Sequence, residues 1–375
     1  MIHSQLVITD YDNKICSFLI CDNQLEDLHV SQNDSLLNHI YVGKVKNISK
    51  NIDAAFVEIK DGKMGFLSLK GQSQTIREGD ELLVQVIKEG VKTKDPVLTT
   101  DLSLHGRYAV VSMKQGQAPI QYSKKLDAAI KERLSQAFVG FTSPYGVIVR
   151  TSAKAAPDTS VILDEIGQLS AKLDKIITNG KMRTCFSCLY ESSPEYLEYV
   201  CKLQPDKYEE IVTDTTSVYE LLDTYQLPVR YYADDYSLKK LYSLDHRIEE
   251  LLCKKVYLKS GATLFIEPTE ALTVIDVNTG KCVFNKDKDE LILKINLEAA
   301  EEIAKQLRLR NISGIIIIDF INMKKKEYMD TLIKEMKNLI KHDLVSCSFV
   351  DVTGLGLMEL TRKKVQRPLN ELFHR

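Results

Sequence analysis

Two apolar runs, each closed by an aspartate and separated by a long charged segment, limit how this chain can fold more than any other feature. In Thr273-Val274-Ile275-Asp276-Val277-Asn278 strand side chains repeat every second residue, so Asp276 and Asn278 share one face while Ile275 and Val277 share the other. The second run, Ile315 to Ile318, ends in Asp319, and its unbroken isoleucines suit a strand buried on both faces. If the two strands are neighbours, Asp276, Asn278 and Asp319 converge on one point. A donor set of oxygens, two of them carboxylates, with no His or Cys nearby favours Mg²⁺ or Mn²⁺ over zinc. Taken singly, an Asp at a strand end is more often a turn former or a helix cap. The pairing, the parity of Asn278 and the helix between the runs favour the metal reading.

That helix is expected over Asp289–Arg310, with Ile292, Ile295, Ala299, Ile303 and Leu307 forming a core-facing stripe and Glu301 with Lys305 as an i,i+4 pair. A second helix, Lys325–His342, should bury Met329, Leu332, Met336 and Leu339 or Ile340, and a strand Val345–Val350 follows. At the other end of the chain, Leu6-Val7-Ile8 and Ser17-Phe18-Leu19-Ile20 flank a turn at Asp12-Asn13. Between Ile40 and Asp101, short strands broken by glycine-containing turns predict a small OB-type β-barrel, whose strand face can stack bases on aromatics. From there to about residue 190 the pattern is α/β: a helix Lys124–Phe138, a strand Gly146–Arg150, and a helix from Asp158 to Thr178 closed by Asn179-Gly180. Residues 191–255 read as helix-rich, with tyrosines clustered near Arg230.

A length of 375 residues allows about two to four domains. The net charge of −2 gives no global pull toward polyanions. Basic runs at Lys324-Lys325-Lys326, at Arg362-Lys363-Lys364 and at Arg308 with Arg310 read singly as solvated faces. The absence of an apolar run of about 18 residues argues against a transmembrane span, and the first residues do not resemble a secretory signal. Eight scattered cysteines, with one CxxC at Cys185 and Cys188, read as reduced thiols of a cytosolic protein.

The strings TEALTVIDVNTG and NLEAAEEIAKQLRLRNISGIIIIDFINM resemble the catalytic segment of the ribonuclease E/G family, and the VNTG wording leans toward its ribonuclease G side. The resemblance implies a cytoplasmic, Mg²⁺-dependent endoribonuclease cutting single-stranded RNA in rRNA processing or mRNA decay. Asp276 and Asp319 would then be the metal ligands and Asn278 the third catalytic residue. The family usually reads IDFIDM, so Asn322 departs from its pattern and drops a charge. YVGKVKNISKNIDAAFVEIKDGKMGFLSL is similar to the family's S1 domain, which places Phe56 and Phe66 at RNA-facing positions; barrel core is the other reading of both. GVIVRTSAK resembles the 5′-sensor segment, in which Arg150 and Thr151 would grip a 5′-monophosphate, with Ala153 and Ala155 in place of the family's glycines. A TKG-type basic segment is represented by Lys92-Thr93-Lys94-Asp95-Pro96, where Asp-Pro weakens a phosphate role. Thr361, Arg362 and Lys364 fall where the family approaches RNA.

The implied fold is α/β and multi-subdomain. An RNase H-like subdomain (1–36 and 191–255) is interrupted by an S1 barrel (37–103) and a 5′-sensor subdomain (104–190), and a DNase I-like catalytic subdomain (256–375) follows. The family's CPxCxGxG zinc link and small domain have no counterpart in these residues, so no zinc is expected, and a homodimer through the DNase I-like faces stays open. The alternative is a non-catalytic, S1-type RNA-binding protein with a degenerate nuclease site.

Overall fold

The computed structural model describes residues 4–373 apart from 33–34, 72–74, 91–93, 115–119, 204–206, 281–287 and 342. It divides into two compact units, Met1–Ser31 with Asp206–Arg375 and Gln32–Pro205.

The first unit holds two sheets. Strands Ser4–Tyr11, Lys14–Cys21 and Gln24–Val30 form an antiparallel meander. Its turns place Asp12, Asn13, Asp22 and Asn23 at positive φ, the backbone that two-residue hairpins require and that Asn and Asp tolerate best. Glu210–Thr213 then joins Ser4–Tyr11 in parallel, and Val229–Tyr231 extends the edge. The second unit is therefore inserted, in sequence, between the third and fourth strands of this sheet.

The second sheet runs in the order Lys255–Tyr257, Thr263–Pro268, Leu272–Asn278, Gly314–Asp319, Met358–Arg362, Cys347–Val352. Helices Lys288–Leu309 and Lys326–Lys341 bury Ile295, Ala299, Ile303, Leu307, Leu332 and Met336 against Ile266, Ile275, Ile316 and Ile318. Each of the leucine, isoleucine and methionine side chains contributes about 1.5–3 kcal/mol through burial. The isoleucine run corrects the expectation of two buried faces. Ile316 and Ile318 are fully buried, but Ile315 is 53% exposed because both helices lie on one side. Two further expectations change. Lys305 binds Glu26 at 2.8 Å, a residue of the N-terminal meander, rather than Glu301. Arg362 is buried and paired to Asp343 at 2.7 Å, so it is no surface RNA contact.

In the second unit, Ile40–Ser49, Ala54–Lys60, Lys63–Ser68, Val97–Thr99 and Glu81–Lys88 close into a five-stranded barrel, the last strand pairing back onto the first. Val45, Ala55, Val57, Ile59, Leu67, Val84 and Leu98 fill it. A four-stranded sheet, in the order Ile120–Tyr122, Gly146–Val149, Ala109–Ser112, Ser103–His105, packs under helix Thr159–Gly180. The earlier helix is shorter than expected, Ala128–Ala137. Gly180 is the last helical residue rather than a cap. A Cβ there would stand 2.6 Å from the Leu83 side chain, so close packing explains this glycine.

Candidate active site

On Leu272–Asn278 the buried residues are Thr273, Ile275 and Val277, which leaves Asp276 half-exposed and Asn278 exposed on the face that the helices do not cover. The next strand runs parallel, with Asp276 directly in register with Asp319. Paired residues of neighbouring strands share a face at about 4.8 Å spacing, so the two carboxylates stand side by side at the strand ends. Asn278 donates an amide hydrogen bond to Asp276 at 2.6 Å. Among the described residues, no Lys or Arg forms an ion pair with Asp276 or Asp319.

This donor set fits a hard divalent cation. Among the described residues no group of three or more His, Cys, Asp or Glu gathers as a potential metal cage. Two carboxylates and an amide are nevertheless oxygen donors of the kind a hard divalent cation takes.

Sequence reasoning missed the residue that fixes the chain just beyond Asp319. Asn296, fully buried on helix Lys288–Leu309, donates to the Ile321 carbonyl at 2.8 Å and accepts from the Ile321 amide at 3.1 Å. Both backbone groups would otherwise lie unsatisfied, at a cost of about 1–3 kcal/mol each. A polar residue interrupting the apolar stripe between Ile295 and Leu297 was the available signal. The exposed Asn322 follows, its Oδ1 beside the left-handed Gly356 turn. Behind the sheet, the Arg362 guanidinium makes two bonds to Asp343 and others to Asn311 and to the Ile312 carbonyl.

The remaining sequence-predicted residues lie in the second unit. Arg150 closes strand Gly146–Val149 in extended backbone, and Thr151 opens a 3-10 turn reaching Ala155. No residue of that turn has positive φ, so Ala153 and Ala155 sit there without strain, and Ala153 is core. The Arg150 guanidinium donates to the Gly106 carbonyl, and Ser152 donates to the Arg107 carbonyl. Thr151 shares a 2.8 Å hydrogen bond with Ser123. Glu165, also unforeseen, accepts from the amides of Arg107, Tyr108 and Ala109 at 2.7–2.9 Å and so sets the loop that Arg150 grips. Burial pushes the nearby His105 imidazole below its ordinary value; Glu198 opposes this and Arg150 adds to it. Phe56 and Phe66 pair across two barrel strands, half-buried and edge-to-face with centroids 6.2 Å apart. They alternate with Ala55, Val57 and Leu67, which point inward, so they lie on the outer surface of the barrel. Lys92 and Thr93 fall outside the described residues.

The molecule is thus a mixed α/β protein of a recognisable class, in which an OB-type barrel falls, in sequence, between strands of a sheet that belongs to another unit. The ribonuclease E/G family profile matches residues 103–365, and the chain belongs to that family. Similar proteins include ribonuclease E of Nostoc sp., 32% identical over 94% of this chain and 55% of its own length. Ribonuclease E of Synechocystis sp. is 32% identical over 94% and 56%. Ribonuclease G of Escherichia coli K12 is 28% identical over 93% and 77%. The chain therefore spans little more than half the length of these two ribonuclease E relatives.

Proposed function

We propose that the protein is a metal-dependent endoribonuclease that hydrolyses single-stranded RNA to 5′-phosphate and 3′-hydroxyl ends, serving RNA processing or decay in the cytoplasm. The observation that carries this reading is the register of Asp276 with Asp319 on an open sheet face. Two adjacent carboxylates facing a polyanion would oppose simple binding, because like charges directly opposite each other repel. A shared cation turns the same pair into a phosphate-binding site. Asp276 and Asp319 would hold Mg²⁺ or Mn²⁺, and the ion would neutralise charge on the scissile phosphate and acidify bound water. Asn278, bonded to Asp276, would keep that carboxylate oriented and offer its own amide toward the phosphate.

The ribonuclease names of the relatives support the nuclease reading over the non-catalytic one. We read the barrel as an S1 domain in which Phe56 and Phe66 stack bases, and Arg150 with Thr151 as the sensor of a 5′-monophosphate. The two flanking regions would be the RNase H-like and DNase I-like subdomains, with a homodimer formed through the latter. No helix among the described residues is long and apolar enough to cross a membrane.

The test is incubation of a short, 5′-monophosphorylated, end-labelled RNA with and without Mg²⁺, followed by end-group analysis. Cleavage that needs the ion and leaves a new 5′-phosphate is expected. A cyclic 2′,3′-phosphate would overturn water attack, and intact RNA at every divalent ion tried would leave the RNA-binding reading in its place.

A further inference from the structure

The cross-strand register of the second sheet extends past the two carboxylates. Lys255 pairs with Phe265, Phe265 with Asp276, and Asp276 with Asp319, so the four residues form one row across four strands. Directly opposed residues share a face with Cβ atoms about 4.5–5.5 Å apart, which puts the Phe265 ring beside the Asp276 carboxylate. A second row, Tyr257, Thr263 and Asn278, lies next to it on the same face. Phe265 is 36% exposed and Tyr257 74% exposed. The Lys255 ammonium sits 4.7 Å from the Tyr257 ring and 5.5 Å from the Phe265 ring.

We infer that Phe265, with Tyr257 and Lys255, forms a stacking subsite for the unpaired nucleobase adjoining the phosphate held at Asp276 and Asp319. The inference rests on the nuclease reading of that carboxylate pair. Two observations support it. The rings point away from both helices and add nothing to the core beneath. The neighbouring cation forms no ion pair among the described residues, whereas Lys254 is bound to Glu267 at 3.0 Å. Lys255 is thereby left to meet a phosphate while polarising the rings. Stacking on an aromatic face accepts any base, as a nuclease reading strand accessibility rather than sequence needs.

The chain contains no tryptophan, so Phe265→Trp introduces a single indole at the subsite. Its fluorescence is followed while a short single-stranded RNA is added with Mg²⁺ in an Asp319→Asn background, where no cleavage is expected and the like-charge repulsion at the strand ends is gone, and binding is read separately from the anisotropy of labelled RNA. Quenching of about two-fold or more by the RNA, absent with an abasic sugar–phosphate oligomer of equal length, is expected. Phe265→Leu should weaken binding about 5- to 150-fold, the equivalent of about 1–3 kcal/mol for one stacked base, and raise KM more than it lowers kcat. Unchanged indole emission with the RNA fully bound overturns the subsite even if the enzyme cleaves. Base-dependent quenching when the parent protein cleaves nothing upholds the subsite and removes the nuclease reading.

Discussion

The Asp276–Asp319 face and the Arg150 strand end both place polar groups where an apolar strand meets solvent, yet they differ in what those groups touch. Asp276 accepts a hydrogen bond from Asn278, and neither aspartate is paired to a cation among the described residues. Arg150, Thr151 and Ser152 are bonded within the protein, to Gly106, Ser123 and Arg107. The first arrangement leaves two carboxylates side by side with no cation paired to them among the described residues. The second is already satisfied, so a phosphate arriving there must compete with a carbonyl or share the guanidinium, which has donors to spare.

The contrast can be broken or sharpened by experiment. Asp276→Asn or Asp319→Asn should abolish Mg²⁺-dependent cleavage while RNA affinity stays near that of the parent; parental rates in either variant would end the metal assignment. Asp343→Ala should destabilise the protein by about 3–5 kcal/mol, because it strands the buried Arg362 charge, and denaturant unfolding reads this directly. Phe56→Ala should cost about 1–3 kcal/mol in single-strand affinity, measured by titration, with the melting temperature held; a collapse of the fold would place the ring in the core. Arg150→Ala should bring the cleavage rates of 5′-monophosphate and 5′-hydroxyl substrates together, and a preserved preference would show that its internal bonds are its whole role. The smallest effect concerns pH. His39 and His105 are both held below the ordinary value of 6.5, by burial first. The unfolded chain then binds more protons, so their contribution is intact above about pH 6.5 and is lost as pH falls below it. Thermal melts at about pH 7.5 and about 5.5 should differ in that direction, and His105→Gln should flatten the slope.

Much of this organisation was legible from local pattern. Period-two alternation assigned Asp276 and Asn278 to one face, and glycine-spaced short strands gave the barrel. What escaped depends on partners distant in sequence. The isoleucine run reads as buried on both sides because composition cannot say that both crossover helices pack on one. Arg362 looks like part of a solvated basic run until the fold brings Asp343 under it. Lys305 has a helical neighbour at the right spacing, yet it turns to Glu26 on another sheet. Glu165 and Asn296 do their work through backbone amides and carbonyls, which leave little trace in side-chain patterns.

That one unit interrupts, in sequence, the strands of a sheet of the other has a consequence for synthesis. Gln5 finds its hydrogen-bond partner Glu210 205 positions later, so the first strand leaves the ribosome with one flank paired and the other bare. Leu6, Val7 and Ile8, all inaccessible in the finished protein, must wait beside that bare flank while the intervening chain is made. A bare apolar strand edge invites pairing with other chains, so this flank of the meander needs shelter until Glu210–Thr213 is made.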